Sequence, residues 1–269
     1  MIKLIVSDLD GTLLDHNRQI IERDRQAVRK AYESGFTICI ASGRMNSEIQ
    51  MVMEPFAQPF HAVGQNGATV RLNNARLLGA KEFTPELSAQ LLQAVPRDAF
   101  INFIHCTNDD YFARVRSEAI MPYEARVMTS SSVHDDLEQA LASDELRCSK
   151  MVYFGELERL NQLEEQLNRT FGDRIETFIS DKDCLDVMPR NVSKGTGISL
   201  LIKELGIKPE EIACIGDSFN DLSMFALTPH SYAMAQSPEE IRNRANTVVN
   251  SVAEAIDHIM AYNTASLVS

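Results

Sequence analysis

The sequence predicts an α/β protein: a parallel sheet covered by helices, interrupted by an inserted α+β domain. Strand and helix signals alternate at both ends of the chain, the grammar of a parallel sheet with helical crossovers. The middle is denser in strand signals, separated by short turns, and this favours antiparallel pairing with helices on one face. At 269 residues one large domain or two smaller ones are possible, and either can bury a sizeable core.

Leu4 to Val6 is a short apolar strand that runs into Asp8-Leu9-Asp10-Gly11-Thr12-Leu13. Ala27, Val28, Ala31 and Tyr32 share one side of a helix that stops at Gly35. Thr37 to Ala41 is a β-prone run followed by Ser42-Gly43-Arg44. A second helical stretch leads to Pro55, and a short strand, His61 to Val63, ends in Gly64-Gln65-Asn66-Gly67. Near the C-terminus, Ile198, Leu201, Ile202 and Leu205 have helical spacing and precede Gly206. The strand Ile212 to Ile215 then breaks at Gly216-Asp217.

Between these ends the expected strands are Phe100 to Cys106, Tyr111 to Arg114, Met151 to Gly155, Ile175 to Ile179 and Cys184 to Met188. One helix starts at Thr84-Pro85-Glu86, with a capping threonine and proline in the first helical position. Another turns Leu160, Leu163, Leu167 and Phe171 toward a core. Crossings near Lys81 and Pro189 divide the chain into a core of residues 1–80 and 190–269 and an insertion of residues 81–189.

The net charge of −12 argues against a nucleic-acid binder, which needs a basic surface to neutralise phosphates. It leaves room for an anionic substrate, because a metal and a few cations can set the field within one cleft. Cys39, Cys106, Cys148, Cys184 and Cys214 form no Cys-x-x-Cys pair and read as small buried hydrophobes. No signal segment or apolar run of membrane-spanning length is visible. A cytoplasmic protein is expected. The isolated histidines offer no zinc pairing, and the sequence leaves the oligomeric state open.

Two acids one residue apart, where a strand leaves a parallel sheet, sit where ligands gather. They repel each other unless a cation or a shared proton intervenes. Mg²⁺ suits them, being a hard ion that takes oxygen ligands. At Ser42-Gly43 a hydroxyl and a close-approaching backbone can hold a phosphate oxygen. Lys194, just before the helix of Ile198, can neutralise charge at one point. Gly216-Asp217-Ser218-Phe219-Asn220-Asp221 brings two more acids and an amide to a strand end.

Taken in order, Asp8-x-Asp10, Ser42, Lys194 and Gly216-Asp217-x-x-Asn220-Asp221 resemble the four motifs of the haloacid dehalogenase-like superfamily over nearly the whole chain. The place of the insertion, with Asn66-Gly67-Ala68, is similar to the Cof-type branch. The resemblance implies a Rossmann-like catalytic core and an inserted cap that governs substrate choice. It also implies a Mg²⁺-dependent phosphatase of small phosphorylated metabolites. Asp8 would be the nucleophile and Asp10 the general acid/base. The metal ligands would be the Asp8 carboxylate, the Asp10 backbone carbonyl and Asp217. Leu9 N–H, Ser42, Gly43, Lys194 and Asn220 would hold phosphate oxygens, with Asp221 orienting Lys194 or a metal-bound water. Tyr111, Arg114 and Arg116 are candidates for contacts to the leaving group.

The chain departs from the branch in places. A frequent Met-Gly-Asn-Ala stands here as Met234-Ala235-Gln236-Ser237. Asp186 replaces a frequent glutamate, and Asn191-Val192-Ser193 lacks the glycine often seen before the lysine. A further glycine is missing from Asn250-Ser251-Val252-Ala253-Glu254-Ala255. These bear on substrate identity. A receiver domain is far shorter, and a P-type ATPase has Thr in place of Asp10 and needs membrane helices. A phosphomutase shares the chemistry, whereas a phosphate-binding regulator need not keep both Asp8 and Asp10.

Overall fold

The computed structural model describes residues 1–127 and 129–267. The chain opens with β1 (Leu4–Ser7), α1 (Glu22–Glu33), β2 (Thr37–Ala41), α2 (Asn46–Met53), β3 (His61–Gly64), β4 (Thr69–Leu72) and β5 (Arg76–Ala80). The middle holds α3 (Pro85–Ala94), β6 (Ile101–Cys106), β7 (Tyr111–Ala113), α4 (Met121–Val127), α5 (Leu137–Ala142), β8 (Cys148–Phe154), α6 (Leu157–Phe171), β9 (Ile175–Asp181) and β10 (Cys184–Pro189). The chain then continues through α7 (Lys194–Leu205), β11 (Ile212–Gly216), α8 (Leu222–Phe225), β12 (Ser231–Met234), α9 (Glu239–Arg242), β13 (Thr247–Val249) and α10 (Val252–Ser266). Two compact units result, Met1–Gly79 with Ser193–Ser269, and Ala80–Val192. The second unit begins one residue before and ends three residues after the expected insertion of residues 81–189.

The first unit contains an eight-stranded sheet in the order β13-β12-β11-β1-β2-β3-β4-β5. From β13 to β3 all pairs are parallel, and β4 then runs antiparallel to β3. Successive residues of β1 point to opposite faces. Leu4 and Val6 join a core with Ile198 and Leu201 of α7, while Ile5 joins another with Ala27 of α1 and Ile256 of α10. Both faces are covered, so the central strands are apolar over most of their length. At the cap of α10 the buried Asp24 of α1 accepts the Ala253 N–H at 2.8 Å.

The second unit contains a five-stranded antiparallel sheet, β7-β6-β8-β10-β9. Its helices lie on one face, where Leu91 and Leu160 pack with Ile104, Met151, Tyr153 and Leu185. The Thr84 hydroxyl accepts the Leu87 N–H at 3.2 Å and caps α3, as its sequence predicts. Arg114 bonds the Val95 carbonyl and Glu138, and Arg116 bonds Glu124 and Ser131. Both arginines are thus tied into the unit's own framework. Asp186 pairs with Lys150 at 3.1 Å, both side chains being under a tenth exposed.

Removing one member of a buried ion pair strands the other charge, whereas replacing both with apolar groups avoids that penalty. Asp186→Ala is therefore expected to cost about 3–5 kcal/mol of unfolding free energy in urea. Lys150→Met with Asp186→Leu should cost clearly less. Equal costs would show that the charge is not the issue.

Candidate active site

Because β1 lies in parallel register between β11 and β2, the segments after all three strands leave at the same edge of the sheet. The ladder holds each to its last residue. Asp8 N–H donates to the Ile215 carbonyl and Ser42 N–H to the Val63 carbonyl, both at 2.9 Å. Beyond Asp8 the chain turns sharply, with Leu9 accepting the N–H groups of Thr12 and Leu14. Gly11 has φ +85°, and a Cβ there would overlap the Asp217 carboxylate. The turn can approach Asp217 this closely only with glycine.

Lys194 is the first residue of α7, set by a reciprocal cap between Ser193 and Thr196. Its fully buried ammonium donates to Asp8 Oδ1 at 2.5 Å and to Asp221 Oδ1 at 2.6 Å. Burial alone would depress the ammonium, but Asp221 and Asp8 outweigh it and raise its pKa, keeping it charged. The other Asp221 oxygen accepts the N–H groups of Asp217 and Ser218 at 2.8 and 2.9 Å. Asp221 is therefore satisfied on both oxygens.

Asp217 receives the Thr12 hydroxyl at 3.0 Å. Burial, then the charge of Asp221, pushes its carboxyl up to about 6. Asp8 is likewise raised, first by burial; Lys194 opposes this, and the charges of Asp221 and Asp217 add to it. Asp8, Asp217 and Asp221 each offer an oxygen within 4.8 Å of the others. One ammonium thus faces three carboxylates. The deficit of positive charge and the all-oxygen donor set fit a hard divalent cation such as Mg²⁺.

Asp10 lies apart from that cluster. Both its oxygens are taken by Arg44, through Nε at 2.7 Å and Nη2 at 2.6 Å. Partial desolvation raises the Asp10 carboxyl, but the Arg44 hydrogen bonds and charge win and hold it below the ordinary carboxylate value. Arg44 itself is buried, with Nη1 lacking a hydrogen-bond partner among the described residues. The Ser42 hydroxyl, also buried, accepts the Arg44 N–H at 3.2 Å. Asn220 donates to Asn66 at 3.1 Å.

The expected residues Asp8, Asp217, Asp221 and Lys194 thus meet in one cluster, and Asn220 belongs to the same loop as Asp217 and Asp221. The Asp10 side chain does not join the cluster, so its expected place as a metal ligand rests on its backbone carbonyl alone. Two contributors carried no sequence assignment. Arg44 stood in a quoted tripeptide, but its fork onto Asp10 is a tertiary contact with no local signal. Gln236, within a departure from the branch pattern, donates to the Gly11 carbonyl at 2.8 Å.

The family model for haloacid dehalogenase-like hydrolases matches residues 5–260. The chain is 25% identical to the 5-amino-6-(5-phospho-D-ribitylamino)uracil phosphatase YwtE of Bacillus subtilis, covering 96% of this chain and 98% of that protein. It is 26% identical to the HMP-PP phosphatase of Klebsiella pneumoniae, covering 90% and 87%. Among solved structures, TM0651 from Thermotoga maritima superposes with a TM-score of 0.85 at 26% identity, covering 96% and 97%. A haloacid dehalogenase-like hydrolase from Bacteroides thetaiotaomicron gives 0.86 at 23%, covering 96% and 100%, a likeness of fold.

The charge deficit gives a measurable pH effect. An unfolded aspartate titrates near pH 4, whereas folded Asp217 titrates at about 6. Within that window the metal-free folded state keeps a proton that the unfolded state has lost. Asp217's contribution to stability therefore declines as pH rises through it. In chelator, the thermal midpoint of the wild type should fall relative to Asp217→Asn between about pH 4 and 7. Saturating Mg²⁺ should reverse the order near neutrality. Parallel curves with and without Mg²⁺ would exclude a cation at this cluster.

Proposed function

The chain belongs to the haloacid dehalogenase-like hydrolases, and from that premise we propose that it is a Mg²⁺-dependent phosphatase of small phosphorylated metabolites working through an aspartyl-phosphate on Asp8. One observation supports this most: a carboxylate at the end of the central strand, bonded to a buried lysine and grouped with two further acids at one sheet edge. Phosphoryl transfer asks mainly for positioning and charge stabilisation, and these groups supply both.

In the first step Asp8 attacks phosphorus in line. A P–O bond forms to Asp8 as the bond to the leaving oxygen breaks, and Asp10 delivers a proton to that oxygen. In the second, water attacks phosphorus, Asp10 takes its proton, and the bond to Asp8 breaks to release phosphate. Leu9 N–H, Ser42, Gly43, Lys194 and Asn220 hold phosphate oxygens. Asp221 keeps Lys194 aimed. Asp8, the Asp10 carbonyl and Asp217 would hold Mg²⁺, which would offset the repulsion between carboxylate and phosphate. Arg44 keeps Asp10 ionised in the resting site; for the first step Asp10 must leave that fork and take up a proton from solvent, which it then gives to the leaving oxygen.

None of these residues belongs to the unit Ala80–Val192. We assign that unit the role of a cap that selects the ester, with binding energy from the leaving group ordering the site. The five cysteines are buried and form no disulfide among the described residues, which suits a reducing cytoplasm. The phosphatases YwtE and HMP-PP phosphatase are named for different substrates. The chain should therefore be screened against sugar phosphates and against phosphate esters of alcohols carrying heterocycles.

Phosphate release is expected to stop in excess chelator and return with Mg²⁺. Asp8→Asn should abolish turnover, and Asp10→Asn should reduce it by ~10²–10⁴-fold, the range for a lost general acid/base. Near-native turnover by Asp8→Asn would place the nucleophile elsewhere. Return of the phosphoryl group to the substrate, in place of free phosphate, would make the chain a mutase.

A further inference from the structure

The Gln65-Asn66-Gly67 turn holds three successive residues in the left-handed region, with φ of 50°, 55° and 103°. Two of them are not glycine, and both are buried. Backbone of this kind is costly and persists where its surroundings over-determine it.

The turn joins the site from three sides. Gln65 N–H donates to the Arg44 carbonyl at 2.8 Å, and Asn66 N–H to the Ser42 carbonyl at 2.9 Å. A Cβ on Gly67 would overlap the Ser193 carbonyl, so the turn packs directly on the cap from which Lys194 emerges. Asn66 Oδ1 accepts from Asn220 Nδ2 at 3.1 Å, while Asn220 Oδ1 is buried with no hydrogen-bond partner among the described residues. Asn66 thus makes the contact that decides which end of the Asn220 carboxamide is the donor end.

That choice matters chemically. A primary amide has two N–H donors. With one directed to Asn66, the carboxamide plane is fixed and the second N–H is left for an anion. Rotation by half a turn would present the carbonyl oxygen instead, which repels a phosphate oxygen. We propose that Asn66 is a positioning residue: it orients Asn220 as a donor to the phosphoryl group and, through its turn, registers the Ser42–Arg44 loop against the start of α7. This rests on the phosphatase reading of the same site.

Asn66→Gly separates positioning from folding, because glycine adopts the left-handed conformation freely while removing the acceptor. The variant should keep the wild-type thermal midpoint and still lose kcat/KM about tenfold with an aryl phosphate, as expected for one misplaced hydrogen bond. The inhibition constant for inorganic phosphate should rise by a similar factor. Adding Asn220→Ala should then cause little further loss, since Asn66 acts through Asn220. Wild-type kcat/KM in Asn66→Gly, or losses that multiply in the double variant, would overturn the assignment. If Asn66→Gly does not fold, Asn66→Ser enters the same cycle with the same outcomes. Inactivity of the wild type toward every ester in Mg²⁺ would instead refute the phosphatase reading.

Discussion

The Lys194 ammonium, buried between Asp8 and Asp221, is the contact on which the site depends. A cation in the first turn of a helix stands against the helix dipole, and burial adds a desolvation penalty. Two carboxylates within hydrogen-bonding distance make the position tenable. Meeting them requires the end of β1, the loop after β11 and the start of α7 to converge. The reciprocal Ser193–Thr196 cap places the lysine, and the backbone donors to Asp221 place its partner. Electrostatics therefore shapes the local fold here, because the buried charge is held by both carboxylates.

Much of this was legible in the sequence, for identifiable reasons. The strand Thr37–Ala41 is a continuous apolar run bounded by turn residues, and its observed limits match. The four motifs are short and their order is specific, so the lysine and the acids could be grouped without coordinates. The β4–β5 hairpin escaped because its strands are short and carry Arg71 and Arg76. Its turn signal was nonetheless present, with Asn73 and Asn74 both at positive φ and the Ala75 N–H bonded to the Leu72 carbonyl. The short strands β12 and β13 gave equally little periodicity.

What sequence could not supply were contacts between loops. Arg44 reaches back to Asp10, Gln236 to the Gly11 carbonyl and Asn66 to Asn220. Each joins residues far apart in the chain, and none leaves a local pattern. Two of the three fell in segments already marked as motifs. A recognised tripeptide can therefore contain a residue whose work is done elsewhere. The departure at Gln236 shows the converse, an atypical residue that still touches the first motif.

The central strand β1 pairs with β11, so Leu4 waits for Ile212. The middle of the larger sheet consequently cannot form until most of the chain has left the ribosome. The unit Ala80–Val192 is continuous and emerges whole before that happens. Synthesis thus favours an order in which the inserted unit folds first, while the early strands β1 to β5 hold exposed edges. Such edges invite misassociation, and the late arrival of β11 relieves it. The length of time for which β1 stands without its β11 neighbour is set by where the chain is interrupted.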